Sequence, residues 1–369
     1  MKEGQGLDIL LLALKPGADY AAFDEAEWDV LLRLARASDM LARIAQRTCA
    51  CSATVPACIA PHLLSARRLA ERQHRELELE LKVIDRVLSE AGVPVAVLKG
   101  TAYVLAGLDA AAGRMVSDID LMVPADLLPR AETALMMAGW ISANRDAYDQ
   151  RYYRTWMHEI PPMQHINRGT VIDLHHNILP PTGRIKLDAS RLMDSAVPLP
   201  GFLGLRVLAP HDMVLHSAAH LTHEGELDTG LRGVADLDAL IREFSRQAAF
   251  FDQLFVRAVE LKLALSLYQA LRLAQHFLST PLPQGWLEQL AAASGCDPGA
   301  VRQVFLGRCW EAAVPPKHSM LRQRFAPVAR SILYLRGHWL RMPPGLLVRH
   351  LSRKAVRAVF VSGEGREKT

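Results

Sequence analysis

The sequence has few aromatic residues, few cysteines and no long apolar run. Aromatic side chains make up 6% of the 369 residues, which argues against a protein that binds single strands by base stacking. No apolar run is long enough to span a bilayer. Glu3 and Asp8 interrupt the region where a secretory signal would need basic and then apolar residues. We therefore expect a cytoplasmic protein, with peripheral membrane contact left open.

The five cysteines are an odd number in a large chain without a secretion signal, which argues against a disulfide framework. Cys49 and Cys51 are too closely spaced for a zinc pair, and no second pair follows. We expect Cys49, Cys51 and Cys58 to be small buried thiols.

The formal net charge of +4 is unevenly distributed along the chain. Residues 302–369 carry 14 Lys and Arg against three acids, so the preceding 301 residues are acidic overall. Such a basic region either packs over the acidic body or contacts an anionic partner, such as a membrane surface or a glycan. A nucleic-acid partner is disfavoured but not excluded.

Hydrophobic periodicity divides the chain into four regions. Residues 1–92 are predicted to form a helical N-terminal region, and residues 93–205 an α/β catalytic domain. Residues 206–311 follow as a helical domain, and residues 312–369 as a basic helical C-terminal region. The predicted fold class is α+β, a small mixed sheet flanked by mostly helical regions.

Short apolar and β-branched runs predict the strands, and amphipathic spacing predicts the helices. Strands are expected at 93–98, 119–123, 140–143 and 152–158, with a hairpin formed by 163–167 and 170–178. Gly169 would take the positive φ of that hairpin turn. Helices are expected at 25–45, 65–91, 102–108, 125–138, 210–223, 228–244, 250–277, 286–293, 298–310, 321–340 and 346–360.

Three aspartates stand out within the apolar strands. Asp118 and Asp120 are two residues apart at the start of one strand, so their side chains share a face. Asp173 lies inside a second apolar strand, where an acid is costly unless it is paired or binds a metal. Carboxylates brought together in this way suit Mg²⁺ or Mn²⁺. The alternative is a polar strand end with solvated acids.

The segment Lys99-Gly100-Thr101 separates a predicted strand from a predicted helix. A glycine there lets a phosphate approach the backbone, and the helix start and the Thr101 hydroxyl offer hydrogen bonds. The alternative is an ordinary helix start with a threonine near its cap. Beside three acids, a phosphate-binding turn indicates phosphoryl chemistry with two metal ions.

Together these motifs resemble a family. The matching residues are Leu98-Lys99-Gly100, Arg114, Asp118-Ile119-Asp120-Leu121, Asp173-Leu174-His175, His220 and Asp236. Over roughly residues 90–245 the chain is similar to the bacterial uncharacterised nucleotidyltransferase-like proteins, within the superfamily related to DNA polymerase β. It departs from the usual pattern in having Gly100-Thr101 where Gly-Ser or Gly-Gly is common.

The resemblance implies a role for each matching residue. Gly100 and Thr101 would hold the nucleotide phosphates, Asp118 and Asp120 would bind two Mg²⁺ ions, and Asp173 would complete the metal site and help to activate the acceptor hydroxyl.

Other polar residues near the motifs are assigned to the nucleotide. Lys99 or Arg114 would neutralise triphosphate charge, with a salt bridge to nearby aspartates as the alternative. Ser117 and His175 are expected near the phosphates. His216 and His220 share a helix face, and a buried link to Asp236 or Asp238 is favoured over a zinc site.

The predicted function is metal-dependent transfer of a nucleoside monophosphate from an NTP, with ATP expected, to a hydroxyl of an unknown acceptor. A glycan, a peptide or a protein would serve as acceptor, and the oligomeric state stays open. Two alternatives remain: a degenerate nucleotide-binding protein of the same fold, and a glycosyltransferase that uses Asp118-x-Asp120 to hold a metal.

Overall fold

A computed structural model of the protein describes residues 5–142, 146–321 and 323–343, together with residues 345 and 347. Its described strands form one sheet, and helices surround that sheet. The α-helices are α1 (Gln5–Leu14), α2 (Glu25–Ala37), α3 (Leu41–Ala50), α4 (Ala60–Glu90), α5 (Lys99–Leu105), α6 (Leu128–Met137), α7 (Ala147–Trp156), α8 (Ser190–Asp194), α9 (Pro210–His223), α10 (Gly230–Phe244), α11 (Phe250–Glu260), α12 (Ala264–Leu278), α13 (Trp286–Ala293), α14 (Val301–Ala313) and α15 (Ala326–Arg341). The strands are β1 (Val95–Val97), β2 (Ile119–Met122), β3 (Trp140–Ser142), β4 (Met163–His165), β5 (Val171–His175), β6 (Val197–Pro198) and β7 (Leu205–Val207).

The described strands form a single mixed sheet in the order β3-β4-β5-β2-β1-β7-β6. β2 runs parallel to β5 and β1 runs parallel to β7, whereas the other neighbouring strands are antiparallel. β1 and β2 are buried at every position, which accounts for their continuous apolar sequences. The predicted α+β class with a small mixed sheet and flanking helices is confirmed.

Local sequence signals explain how the central strands begin and end. Gly92 follows α4 with a φ of +65°, the left-handed conformation that glycine adopts without strain. The amide of Val93 then donates to the carbonyl of Leu88, which closes the helix and directs the chain into β1. Gly169 has a φ of +70° in the predicted β4–β5 hairpin. These two turns place β1 and β5 on either side of β2.

The strand predicted at residues 152–158 is wrong, because most of it lies in α7. Tyr148, Tyr152 and Trp156 recur every four residues and so share one helix face, where their rings lie 5.9–6.3 Å apart. Aromatic residues are common in strands, which led to the strand prediction. Here the aromatic rings pack against one another along one face of a helix.

Two long predicted helices are each divided in two. The helix expected at 25–45 is interrupted by Asp39, and the helix expected at 250–277 is interrupted by Lys262. Both residues adopt positive φ, 57° and 58°, although neither is glycine. The sequence therefore carried no glycine or proline that would have marked either break.

Cys49, Cys51 and Cys58 are exposed, so the prediction that these thiols are buried is wrong, although all three are free.

α15 lies where a basic helix was predicted and packs on α9 and α14. The helix predicted at 346–360 lies outside the described residues, apart from residue 347. None of the described helices combines the length and apolar character required to cross a bilayer.

Candidate active site

The two acids of the sheet lie on adjacent strands. β2 and β5 pair in parallel, and Asp120 is the register partner of Asp173. Register partners on adjacent strands point to the same face of a sheet, so both carboxylates lie on one side of it. Asp118 precedes β2 by one residue and is partly exposed, two residues before Asp120. The three predicted aspartates therefore occur at one place in the fold.

Asp120 is held by two partners. It is 3% exposed, and its Oδ1 accepts hydrogen bonds from Lys99 Nζ at 2.7 Å and from His175 Nε2 at 3.0 Å. Burial alone would raise the pKa of the Asp120 carboxyl, but the positive charges of Lys99 and His175 hold the pKa well below its usual range. Asp120 is therefore ionised at every physiological pH.

Asp173 has the opposite environment. Burial, and then the nearby charges of Asp120, Glu159 and Asp118, raise the pKa of Asp173 to about 7. Its Oδ1 is buried without a hydrogen-bond partner among the described residues. Unbonded buried oxygens are costly, which makes this carboxylate a candidate ligand or proton acceptor.

The acids of this region outnumber its free cations. The negative charges of Asp120, Glu224 and Glu159 act to raise the pKa of Lys99. Those of Asp120 and Asp118 help to raise the pKa of Asp173. The guanidinium of Arg114, the other nearby cation, is already bonded to an acid on α10. A net negative charge at one place favours cation binding.

Arg114 covers the glycine that was expected to receive a phosphate. Its Nε donates to Oδ2 of Asp236 at 2.7 Å, and Asp236 also accepts from Arg43. A Cβ at Gly100 would lie 1.7 Å from the Nη1 of Arg114. Gly100 is thus required by the Arg114 side chain, which makes a salt bridge, although to Asp236 and not to the strand aspartates.

Thr101 and Ser117, whose hydroxyls were predicted to lie near the phosphates, both donate hydrogen bonds to Asp118. Thr101 is fully buried, and its hydroxyl donates to the Asp118 carbonyl at 3.3 Å. Ser117 is exposed, and its hydroxyl donates to Asp118 Oδ1 at 2.8 Å. Both hydroxyls orient the turn that carries Asp118, and their phosphate contacts stay predictions.

The histidines on α9 are linked differently from expectation. His220 Nε2 lies 3.1 Å from Glu224 Oε2 at the end of the same helix. Asp236 is occupied by Arg43 and Arg114, and Asp238 by Arg242 and Thr280. The predicted buried link from the histidines to these aspartates is therefore wrong.

Glu159 is a site residue that the sequence analysis missed. Its Oε2 lies 3.3 Å from Nδ1 of His175, and the backbones of the two residues pair in an isolated antiparallel bridge. The available signal was the His-Glu pair just before β4, the neighbour of β5.

A small cavity opens beside Lys99. It has a volume of about 60 Å³ and is lined by Lys99, Arg114, His220 and Glu224, among others. Small-molecule pockets usually measure roughly 300–1,000 Å³. An NTP would therefore enter this cavity only after the surrounding side chains move.

The comparisons with known proteins identify the family. The profile of the family described as "Uncharacterised nucleotidyltransferase" matches residues 24–279, and the chain belongs to that family. No curated protein and no solved structure matches the sequence. The match covers the sheet, the three aspartates and the helices α9 to α12, so the resemblance seen in the motifs extends well beyond them.

Proposed function

We propose that this member of the uncharacterised nucleotidyltransferase family transfers a nucleoside monophosphate from an NTP to a hydroxyl group of an acceptor. ATP is the expected donor. The observation that carries the proposal is the pairing of Asp120 with Asp173 on adjacent parallel strands, directly after Asp118. Ionised carboxylates at paired positions of a sheet repel each other unless a cation lies near them, and cation-bound carboxylates are a common basis of phosphoryl-transfer chemistry.

The residues present fit Mg²⁺ or Mn²⁺. Carboxylate oxygens suit these hard cations, and Asp173 Oδ1 is buried with no hydrogen-bond partner in the described part of the chain. Asp118, Asp120 and Asp173 would hold the metal, although they do not bring ligand atoms of all three within 4.8 Å of one another here. When bound, the metal would offset the negative charge that develops on the reacting phosphoryl oxygens.

Asp173 is the candidate for moving the proton. The acceptor hydroxyl oxygen would bond to the α-phosphorus of the NTP, the bond from that phosphorus to the bridging oxygen would break, and pyrophosphate would leave. The hydroxyl proton would pass to Asp173, whose pKa of about 7 in the metal-free protein supports its taking up a proton near neutral pH.

Lys99 is the candidate for neutralising the triphosphate. Its side chain is 24% exposed and lines the cavity, and its ammonium is held by one carboxylate. Arg114 is 11% exposed and is held by Asp236. A flexible lysine with one partner can turn toward a phosphate more readily than a guanidinium bonded within a buried pair. Arg114 would then shape the turn at Gly100, with Ser117 and Thr101 orienting Asp118.

One observation favours the degenerate alternative. The ammonium of Lys99 already neutralises Asp120, the acid that a metal would need. A chain that had lost turnover could keep this ion pair in place of the metal and still bind a nucleotide nearby. We favour the enzyme because Lys99 pairs with Asp120, which would leave Asp173 with a buried oxygen that has no hydrogen-bond partner in the described part of the chain.

Pyrophosphate release tests the proposal. The purified chain would be incubated with each NTP, Mg²⁺ or Mn²⁺, and cell extract as the source of acceptors. We expect release that falls by about 100-fold or more in Asp118→Asn and Asp120→Asn. Asp126→Asn is the matched control, because Asp126 is an exposed acid shortly after β2.

The negative outcomes are distinct. Calorimetric binding of an NTP without pyrophosphate release from any acceptor fraction would support the degenerate protein. Release that persists in Asp118→Asn and Asp120→Asn, with circular dichroism showing that both variants are folded, would remove these two aspartates from the mechanism.

A further inference from the structure

We propose that His158, Glu159 and His175 form a binding site for a divalent transition metal ion, of which Zn²⁺ is the expected occupant. Each residue offers one ligand atom, and these atoms lie within 4.8 Å of one another, unlike those of any other described group of three His, Cys, Asp or Glu. The site is distinct from the aspartates assigned above to Mg²⁺ or Mn²⁺, and it requires neither a nucleotide nor turnover.

The spacing of the ligand atoms suits a tetrahedral ion. His175 Nδ1 lies 3.3 Å from Glu159 Oε2. Two ligands that each lie roughly 2.0–2.1 Å from a tetrahedral zinc are separated by roughly 3.3 Å. The ring centroids of His158 and His175 are 5.3 Å apart, and the ligand atom of His158 lies within 4.8 Å of those of His175 and Glu159.

The ligands are carried by paired backbone. Glu159 and His175 face each other in an antiparallel bridge. The amide of Ile160 donates to the Leu174 carbonyl at 3.0 Å, and the amide of His176 donates to the His158 carbonyl at 2.8 Å. Side chains on paired strands hold their geometry better than side chains on loops. The three ligands are therefore positioned before any ion binds.

The hydrogen bonds of His175 require a positive charge at this point. Its Nε2 is bonded to Asp120, which fixes a proton on Nε2 and leaves Nδ1 as an acceptor in the neutral ring. Nδ1 then faces the carboxylate of Glu159, which is also an acceptor. Two acceptors 3.3 Å apart repel unless a proton or a metal ion lies between them.

A metal explains more of the site than a proton does. A shared proton would need only His175 and Glu159, yet Nδ1 of His158 is also buried without a hydrogen-bond partner in the described structure. His175 is itself 2% exposed, and its Nδ1 is likewise unbonded. A histidine that ligates zinc through one nitrogen commonly donates the other N–H to a carboxylate, which is the arrangement of His175 and Asp120.

The ligand set also indicates the class of ion. Two imidazole nitrogens and one carboxylate oxygen suit zinc better than magnesium or calcium, which prefer oxygen ligands. Three protein ligands leave a fourth position open, and Glu159 is 20% exposed, so solvent can reach the site from its side. The ion would join the 158–160 segment to β5 and, through His175, fix the orientation of Asp120.

Cobalt titration of the full chain tests the site. Co²⁺ in tetrahedral nitrogen and oxygen coordination has visible absorption bands, and Zn²⁺ should abolish them by displacement. The protein would first be stripped with a chelator and then titrated in excess Mg²⁺ without nucleotide. We expect the wild type to bind one Co²⁺ per chain. In His158→Ala and Glu159→Gln the affinity for Co²⁺ should fall by about 100-fold or more, which is at least the largest loss usual for a residue that only supports a metal ligand.

Two control variants distinguish this site from the histidine and the aspartates beside it. His176→Ala removes a neighbouring histidine outside the group, and Asp118→Asn removes an acid of the proposed Mg²⁺ site, so both should bind Co²⁺ as the wild type does. No tetrahedral Co²⁺ spectrum in the stripped wild type would overturn the proposal and leave a shared proton between His175 and Glu159. Loss of the spectrum in Asp118→Asn but not in His158→Ala would place the ion on the aspartates instead.

Discussion

The ammonium of Lys99 lies 2.7 Å from Oδ1 of Asp120. Asp120 is also one of the acids proposed to bind the catalytic metal ion. The backbone of Lys99 adopts a φ of +49° at the first position of α5, with Leu98 between it and β1. A non-glycine residue in this conformation is unusual and costs roughly 1–3 kcal/mol, so the surrounding structure must favour it. The protein thus holds an internal cation against its most deeply buried strand acid.

Removing that cation should make stability depend on metal. We expect Lys99→Met to lower the free energy of unfolding in EDTA by about 2–3 kcal/mol, because it leaves Asp120 buried with His175 as its remaining partner. Part of the loss should return on adding Mg²⁺ or Mn²⁺, which would take over the charge of Lys99. Urea denaturation with and without metal measures both effects.

Lys82→Met is the matched control for this substitution. Lys82 pairs with Glu78 at 3.0 Å on α4, but both side chains are about half exposed. Exposed pairs of this kind contribute little, so the control should change stability by less than about 0.5 kcal/mol. Lys99→Met that behaves like Lys82→Met, in EDTA and in metal, would show that the Lys99–Asp120 pair is unimportant.

Asp173 should make the metal-free protein less stable as the pH rises. Its pKa of about 7 lies above the value near 3.9 of an unfolded aspartate, so the folded protein holds a proton that the unfolded chain releases. Stability should therefore fall between about pH 4 and pH 7, by roughly 1–3 kcal/mol because the side chain is partly solvated. Urea denaturation in EDTA from pH 5 to pH 8 follows this loss.

Asp173→Asn isolates that contribution from the other titrating groups. Asparagine keeps the size of the side chain but cannot ionise, so the difference in stability between variant and wild type should widen as the pH rises. Mg²⁺ should narrow the difference at pH 8, because bound metal stabilises the ionised wild type. A difference that stays constant from pH 5 to pH 8 would mean that Asp173 does not carry the raised pKa.

The sheet was largely predictable because its signals are local. β2 and the β4–β5 hairpin follow from short apolar runs and from Gly169, and these place Asp120 beside Asp173 once the strands pair. The positions of Asp118, Asp120 and Asp173 in one region were therefore accessible from sequence. Their metal and phosphate roles stay predictions.

The partners of the site residues could not be predicted, because they depend on contacts distant in sequence. Arg114 meets Asp236 across 122 residues, and Glu159 meets His175 through a bridge between segments that show no common pattern. Lys99 has a left-handed backbone conformation, but it is not a glycine or an asparagine, so its residue type did not predict the positive φ. Residue type alone could not decide between a phosphate and a neighbouring acid as the partner of either cation.

Gly100 should be intolerant of any side chain, for a reason that involves Arg114 and not a phosphate. A Cβ at Gly100 would lie 1.7 Å from Nη1 of Arg114, so Gly100→Ala should push the guanidinium away from Asp236. We expect a loss of about 1–3 kcal/mol in the free energy of unfolding, measured without nucleotide. Gly233→Ala in α10 is the control, because its Cβ would meet Leu221 at an ordinary 3.4 Å and should leave the protein at least as stable.

A double-mutant cycle distinguishes a clash with Arg114 from a backbone conformation at Gly100 that cannot accept alanine. If the cost arises from Arg114, Gly100→Ala should be nearly harmless once Arg114→Ala has removed the guanidinium, and the two losses should not add. Additive losses would show that the backbone at Gly100 itself cannot accept alanine. The cycle needs neither substrate nor metal, so its result holds whether the protein is an active transferase or a degenerate one. The coupling energy would then measure how strongly the Gly100 turn depends on the Arg114–Asp236 ion pair.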